Sequence, residues 1–429
     1  MNKYDFPEGF LWGAATSAHQ IEGGNINDWS EWENSEKRMA ELKKDGKDTA
    51  DYISGLACDS YCRYEEDLDI AKSLNHNIHR ISLEWSRIEP EDGRFDHDAI
   101  RHYKDVVKAI RERGMEPMIT LWHFTNPIWF TEQGGFLNED AVSRFVRFVG
   151  FVVDNLKDDV NLWITFNEAT SIYSGMAFLR GVWPPQCKSV RAYLKVIKNF
   201  AIAHRQAYEE IKKIYSQSPV RHILTNVSPD GDAPTGMSHN INTVRIGLTE
   251  NNAQIICPWY LRMFGIGKLV DFYRNHYLFS SCRGYYDFIG LNYYNILRLP
   301  GSYAVLSKQA VVNEMGWEIY PKGLRHQLNA LRKYNKPIYI TENGIADSTD
   351  ARRSKFITDH LYETWLAIRD GVDVRGYLYW SLLDNFEWHH GYAPRFGLIE
   401  VDFNNNQSRK VRRSAREYAK ICISNQLEI

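Results

Sequence analysis

The chain has 429 residues, and its 52 basic against 54 acidic side chains leave a net charge of −2, which offers no electrostatic footprint for nucleic acid or an anionic membrane surface. With 44% hydrophobic and 25% charged residues it can fill a large core, which excludes the disordered and fibrous classes. The 13 Trp, 25 Tyr and 20 Phe serve either that core or a pocket with flat walls.

The first residues carry no apolar leader, and no later run reaches the roughly 18 uncharged apolar residues of a membrane span, so the expectation is a cytoplasmic protein without a membrane partner. Along the chain, short runs rich in β-branched and aromatic residues alternate with longer segments of helical period, the pattern of βα units around a parallel sheet. Residues 10–16, 77–83, 116–121, 162–166, 221–226, 286–291, 336–341 and 374–380 read as strands. Residues 64–74, 99–113, 139–156, 191–215 and 354–369 repeat apolar side chains every three to four positions and read as helices. Residues 228–280 show little period until a helical pattern near 266–276. Eight runs are the number a closed barrel needs, and no linker, repeat or low-complexity tract interrupts them. The expectation is one (β/α)8 barrel, residues 1–429, with its active site at the C-terminal ends of the strands.

Six of the eight runs end in clusters of polar and aromatic residues. These begin at Ser17, His19, Gln20 and Glu22, then Trp122, His123 and Phe124, then Asn167 and Glu168. The later ones are Asn292, Tyr293 and Tyr294, then Glu342 and Asn343, and finally the stretch from Trp380 to Asn385, Glu387 and Trp388. In an α/β barrel all these ends meet on one face. Glu168 and Glu342 each follow a strand at once, a place where a carboxylate often caps the next helix. Two such carboxylates among amides, imidazole, phenol and indole also fit glycoside hydrolysis, in which one carboxyl protonates the leaving oxygen and the other handles the anomeric carbon.

At these residues the chain resembles glycoside hydrolase family 1, the retaining β-glucosidases and β-galactosidases on a (β/α)8 TIM barrel. The motifs run in order from residues 6–13 to 395–398. Residues 165–168, ending in Glu168, resemble the family's acid/base motif, and residues 340–344, around Glu342, its nucleophile motif. The resemblance implies that Gln20, His123, Asn167 and Glu387 hydrogen-bond the sugar at the cleavage point and that Trp380 and Trp388 wall it. It further implies that Arg80 and Tyr294 hold the nucleophile, lowering its pKa, that Asn292 lines the same pocket, and that Trp317 is the platform for the departing group. Glu387 is expected to be ionised. Ala169 stands where most of the family has Pro, and His19 where an aromatic residue is commoner. The substrates implied are small β-glycosides or oligosaccharides, and no cofactor or metal is implied.

The remaining motifs have plainer readings. Cys58 and Cys62, spaced i, i+4, would ligate a metal only with partners elsewhere and read as buried thiols. Glu84 reads as one half of a structural ion pair, His389 and His390 as solvated loop residues, and residues 402–406 as a turn in place of a calcium loop. A non-catalytic sugar-binding barrel would lack one of the two carboxylates, and an enzyme for phosphorylated sugars would carry Ser at position 387, where this chain has Glu.

Overall fold

A computed structural model describes residues 2–217, 244–299 and 310–429. Eight parallel strands close into a barrel: β1 (Leu11–Ala15), β2 (Ile78–Ser82), β3 (Glu116–Trp122), β4 (Leu162–Asn167), β5 (Arg245–Asn251), β6 (Phe288–Asn292), β7 (Ile338–Asn343) and β8 (Val374–Trp380). Neighbours in sequence are neighbours in the barrel, and β8 closes onto β1 through the register Gly376 to Leu11 and Trp380 to Ala15. Seven strands lie where the apolar runs place them. The fifth differs: residues 221–226 lie outside the described residues, and the place between β4 and β6 is taken by Arg245–Asn251. That strand interrupts its β-branched pattern with Gly247 and ends in Thr-Glu-Asn, so its apolar run is too short to stand out.

The helices follow the apolar period closely. His97–Glu112 starts where the Asp96 carboxylate accepts the backbone N–H groups of Asp98 and Ala99. It buries Ile100, Tyr103, Val106, Val107 and Ile110 against the barrel and stops at Gly114, whose φ of +71° suits a residue without Cβ. Ala141–Leu156 and Val190–Ser216 form the corresponding cover after β3 and β4. Where little period is legible, short helices at Trp259–Met263, Ile266–Asp271 and Tyr277–Ser281 follow β5.

Inside the barrel, Ala15, Ile78, Met118, Leu162, Ile164, Phe288, Tyr339 and Leu378 form an apolar plug separate from the larger shell between strands and helices. The strand period of two then sets a polar layer above it, with Arg80 following Ile78, Thr120 following Met118, and Thr341 following Tyr339. Gly290 follows Phe288 in the same way, and a Cβ there would meet Thr249 Oγ1 at 2.0 Å. Its missing side chain makes room for Thr249 and Thr341.

Beyond the C-terminal rim, the loop after β8 is anchored at its base. Asp384, wholly buried, accepts two bonds of 2.8 Å from the Arg412 guanidinium and one from the Gly397 N–H. Residues 403–407 form the turn between strands Ile399–Asp402 and Ser408–Val411, one residue on from the expected 402–406. Cys58 is buried and donates its thiol to the Asp384 carbonyl, but Cys62 is exposed, because it lies on the outer face of Ser60–Ser73. Replacing Asp384 by Ala leaves the buried Arg412 without its counter-charge, and loss of one partner of a buried pair costs about 3–5 kcal/mol. A urea denaturation series should therefore show a clearly lower midpoint for Asp384→Ala, and a midpoint like that of the parent would mean that the pair does not anchor the loop.

Candidate active site

The strand ends and the loop after β8 surround a pocket of about 470 Å³. His123, Asn167, Glu168, Tyr294, Trp317, Glu342, Trp380, Glu387 and Trp388 line it, while Arg80, Gln20 and Asn292 stand directly behind these residues. All twelve residues singled out from the sequence thus come together.

Arg80 organises the floor. Its Nε donates to Thr120 Oγ1 at 3.0 Å, one terminal nitrogen donates to Glu342 Oε1 at 2.7 Å, and the other to Asn167 Oδ1 at 2.7 Å. Tyr294 donates its phenol to the second Glu342 oxygen at 2.7 Å. Asn292, whose oxygen accepts from Thr341 Oγ1, points its NH2 at Asn167 Oδ1 and at Glu168 Oε1, the latter at 2.6 Å. Asn167 Oδ1 is then occupied twice, so its NH2 faces His123 Nε2 at 3.1 Å. Nε2 accepts, the proton resides on Nδ1, and Nδ1 is buried with no hydrogen-bond partner among the described residues. Burial, followed by the charge of Arg80, holds His123 well below its ordinary pKa and hence neutral.

The two carboxyl groups differ in their surroundings. Burial and the charge of Glu342 push Glu168 up to about 8, opposed by the Asn292 amide. Burial lifts Glu342 as well, against the pull of Arg80 and the Tyr294 phenol, so the lowering expected from those two contacts is outweighed by desolvation. Only Glu342 touches a guanidinium, and a single proton shared by the pair therefore resides on Glu168. Glu168 also sits in left-handed backbone, φ +49°, as do Phe124 and Trp388 in the same pocket wall, at +76° and +51°. Such strain persists only where surrounding contacts over-determine it, here for Glu168 the 2.7 Å bond from its N–H to the Thr249 carbonyl.

Across the pocket, the Gln20 amide donates to the Phe386 carbonyl at 2.8 Å and to Glu387 Oε2 at 3.3 Å. Trp388 lies in a box of rings, with His19 stacked at 5.6 Å, His123 at 5.9 Å and Trp29 tilted at 4.7 Å. His19 takes this place by bonding Glu33 at 2.9 Å. Trp317 meets Tyr294 edge-on at 5.7 Å at the mouth.

Some expectations need correction. Glu387 is pushed up to about 8 by burial and by Glu342, so near neutral pH its protonated form is favoured over the ionised one. His389 is half-buried, accepts from Trp183 Nε1 at 3.0 Å and lines the pocket, so it is no solvated loop residue. Glu84 caps the turn Trp85–Ile88 and takes hydroxyls of Ser86 and Thr125 in place of a cation. Sequence reading missed Asn251, Arg274 and Ser171 in the pocket wall. Asn251 was findable, since it ends a strand in the same Glu-Asn manner as Glu342 and Asn343, once that strand is placed at 245–251. Arg274 comes from the segment between strands, where no period marks it.

The sequence profile described as glycosyl hydrolase family 1 matches residues 2–427. The chain belongs to this family. Its members are retaining enzymes, so the chain is an O-glycosyl hydrolase. It is 31% identical to β-glucosidase A of Thermotoga maritima, covering 100% of both chains. It is 29% identical to a β-galactosidase of Sulfolobus acidocaldarius over 93% of this chain and 91% of that one. The solved β-glycosidase from Pyrococcus horikoshii superposes with a TM-score of 0.83 at 34% identity, covering 100% and 97% of the two chains. Among the described residues no helix is long and apolar enough to cross a membrane.

The raised Glu387 has a consequence for stability. A carboxyl that holds its proton to about 8 when folded, against 4.5 otherwise, binds more protons folded than unfolded between those values, so its contribution falls as pH rises through that window. Glu387→Gln removes the titration. In urea, the variant should be more stable than the parent at pH 9, with the gap closing toward pH 4. A constant difference across that range would contradict the burial argument.

Proposed function

We propose that the chain hydrolyses terminal, non-reducing β-D-glucosyl residues of small β-glycosides or oligosaccharides, with β-D-galactosyl and β-D-fucosyl residues as alternative inner-site sugars. In this reading Glu342 is the nucleophile and Glu168 the general acid and base. The observation that carries it is the asymmetry of the pair, with Arg80 and Tyr294 on both oxygens of Glu342 and, among the described residues, no ion pair on Glu168.

The chemistry follows from that asymmetry. Glu342, the member without the shared proton, attacks the anomeric carbon while Glu168 gives its proton to the departing oxygen. Glycosylation neutralises Glu342, removing the neighbouring charge that raises Glu168, so the carboxylate left on Glu168 can take a proton from the attacking water. His123, the Asn167 amide, Gln20 and Glu387 supply the polar contacts for the sugar, and Trp380 and Trp388 the apolar walls for its C–H faces. Trp317 stands as the platform for the departing group. The fold match from 2 to 427 and the single closed barrel support residues 1–429 as one catalytic unit.

Glu342→Gly should abolish hydrolysis of every glycoside. Glu168→Ala should retain substantial activity on a dinitrophenyl glycoside, whose leaving group needs no proton, and added azide should accelerate it and give a β-glycosyl azide. Equal loss on activated and unactivated substrates, without an azide product, would remove Glu168 from its role.

Choice of sugar is read from kcat/KM on nitrophenyl β-glucoside, β-galactoside and β-fucoside. The glucoside is expected to lead, and a galactoside preference of tenfold or more, about 1.4 kcal/mol, would reverse that ordering.

A further inference from the structure

Arg274 stands on the segment Phe272–His276, outside the barrel, and its guanidinium is enclosed in the pocket wall next to Ser171 and Asn251. One terminal nitrogen donates to the Ser171 carbonyl at 3.2 Å and the other to Asn251 Oδ1 at 3.2 Å. Asn251 is also fixed from its backbone, where its N–H donates to Ser171 Oγ at 2.9 Å. An amide whose oxygen is taken by a guanidinium presents its NH2 at the other end, and Asn251 pairs across the β5–β6 register with Asn292, which holds Glu168 Oε1 at 2.6 Å, so Asn251 and Glu168 share one wall of the pocket.

Resting on the assignment of Glu168 as acid and base, we propose that Arg274 is a positioning residue for it: the guanidinium turns the Asn251 amide so that it donates to Glu168, and its charge stabilises the carboxylate that remains after the proton has gone to the leaving group. The need for such a device follows from the two steps. In the first, the proton passes from Glu168 to the glycosidic oxygen as the C–O bond breaks. In the second, water adds to the anomeric carbon, its proton passes to Glu168, and Glu342 is released. Between them Glu168 must remain a carboxylate in a buried site, where desolvation favours recapture of a proton from solvent. The Asn292 amide alone faces it from β6, whereas Asn251 and Arg274 add a second donor and a positive charge.

Glu342 faces Glu168 from β7 and is neutral in the intermediate, and the Tyr294 phenol lies within its electrostatic reach. Glu250, at the end of β5, acts on both Glu168 and Arg274, while its carboxyl is held by the Thr170 N–H, the Thr170 hydroxyl and the Ser171 N–H at 2.7–3.0 Å. The Tyr193 hydroxyl is the remaining titratable group acting on Arg274. Glu250 by itself drives Glu168 toward the protonated form, and Arg274 supplies a positive charge in the same wall.

The test uses Arg274→Met, Arg274→Lys and Asn251→Ala in the full-length enzyme, with circular dichroism and a melting curve as folding controls. Two pH profiles are read: kcat/KM on an unactivated β-glucoside, which reports the acid, and kcat on a dinitrophenyl β-glucoside, limited by the second step, which reports the base. Loss of a neighbouring opposite charge moves a carboxyl by about one unit or more. In Arg274→Met the basic limb of the first profile and the acidic limb of the second should both move up by about one pH unit, so that kcat on the activated substrate near pH 6 falls about tenfold. Asn251→Ala should move both limbs in the same direction by less, and Arg274→Lys should restore most of the shift. A uniform loss of rate with both limbs unmoved, in either Arg274→Met or Asn251→Ala, would reduce Arg274 to a structural role and overturn the proposal. If instead Glu168→Ala shows no azide product, the fault lies with the assignment of Glu168 and not with Arg274.

Discussion

A guanidinium enclosed within a β-barrel is the constraint around which this site is arranged. Arg80 projects from β2 into the layer directly above the apolar plug, where it is 1% exposed, and an unpaired cation there would cost many kcal/mol. Each of its donors must therefore find an acceptor on another strand: Thr120 on β3, Asn167 on β4, and Thr341 and Glu342 on β7. Satisfying that one side chain fixes the orientation of the Asn167 amide. The amide then selects the His123 tautomer, and the remaining Glu342 oxygen is left to the Tyr294 phenol. The orientation of at least four polar groups follows from the placement of one charge.

The same enclosure governs the carboxyl groups. Glu168, Glu342 and Glu387 all face one pocket, and burial raises every one of them. Of the three, only Glu342 is touched by Arg80, so it is the carboxylate best able to keep its charge, while Glu168 and Glu387, pushed up to about 8, favour the proton near neutral pH. This distribution is what a nucleophile and a neighbouring acid require, and it arises from unequal contacts among chemically identical side chains. Glu387 shares the outcome because Gln20, its polar partner, is a neutral amide that opposes burial only weakly.

Much of this was legible in the sequence because the relevant residues lie at strand ends. An apolar run followed at once by Asn-Glu or Glu-Asn marks both a strand and the rim where its polar residues emerge, which places Asn167, Glu168 and Glu342, whereas Arg80 within β2 and Trp317 between β6 and β7 follow from the family resemblance. The fifth strand was misplaced because Arg245–Asn251 breaks its apolar pattern with Gly247 and Thr249, whose small and polar side chains suit the crowded barrel interior beside Gly290. With that strand unread, Asn251 at its end went unread as well. The charge states were not legible at all. Contacts such as Arg80 and Tyr294 on Glu342 could be anticipated from the resemblance, but the competing cost of burial depends on how completely the pocket excludes water, which only the packed structure reveals.

The two sides of the pocket are built by different means, and this has a mechanical consequence. The side holding Glu342, Asn292, His123 and Asn167 consists of strand ends whose backbone is tied into a closed sheet. The loop after β8, with Glu387 and Trp388, is tied down by the Asp384–Arg412 pair at its base. The opposite wall, with Ser171, Met176, Arg180, Leu297 and Trp317, comes from segments between strands, linked by side-chain bonds and by the short pairing of Gln254–Ile256 with Ile296–Arg298. Groups that must meet the reacting carbon within fractions of an ångström belong on the first kind of support. Groups that meet a departing group of variable shape can tolerate the second. Glu168 is where the two supports join: its backbone is hydrogen-bonded to β5, while Asn251 beside it in the pocket wall is bonded by Arg274 from a segment between strands. A change in the outer wall can therefore reach the chemistry through that one residue while the sugar side keeps its geometry.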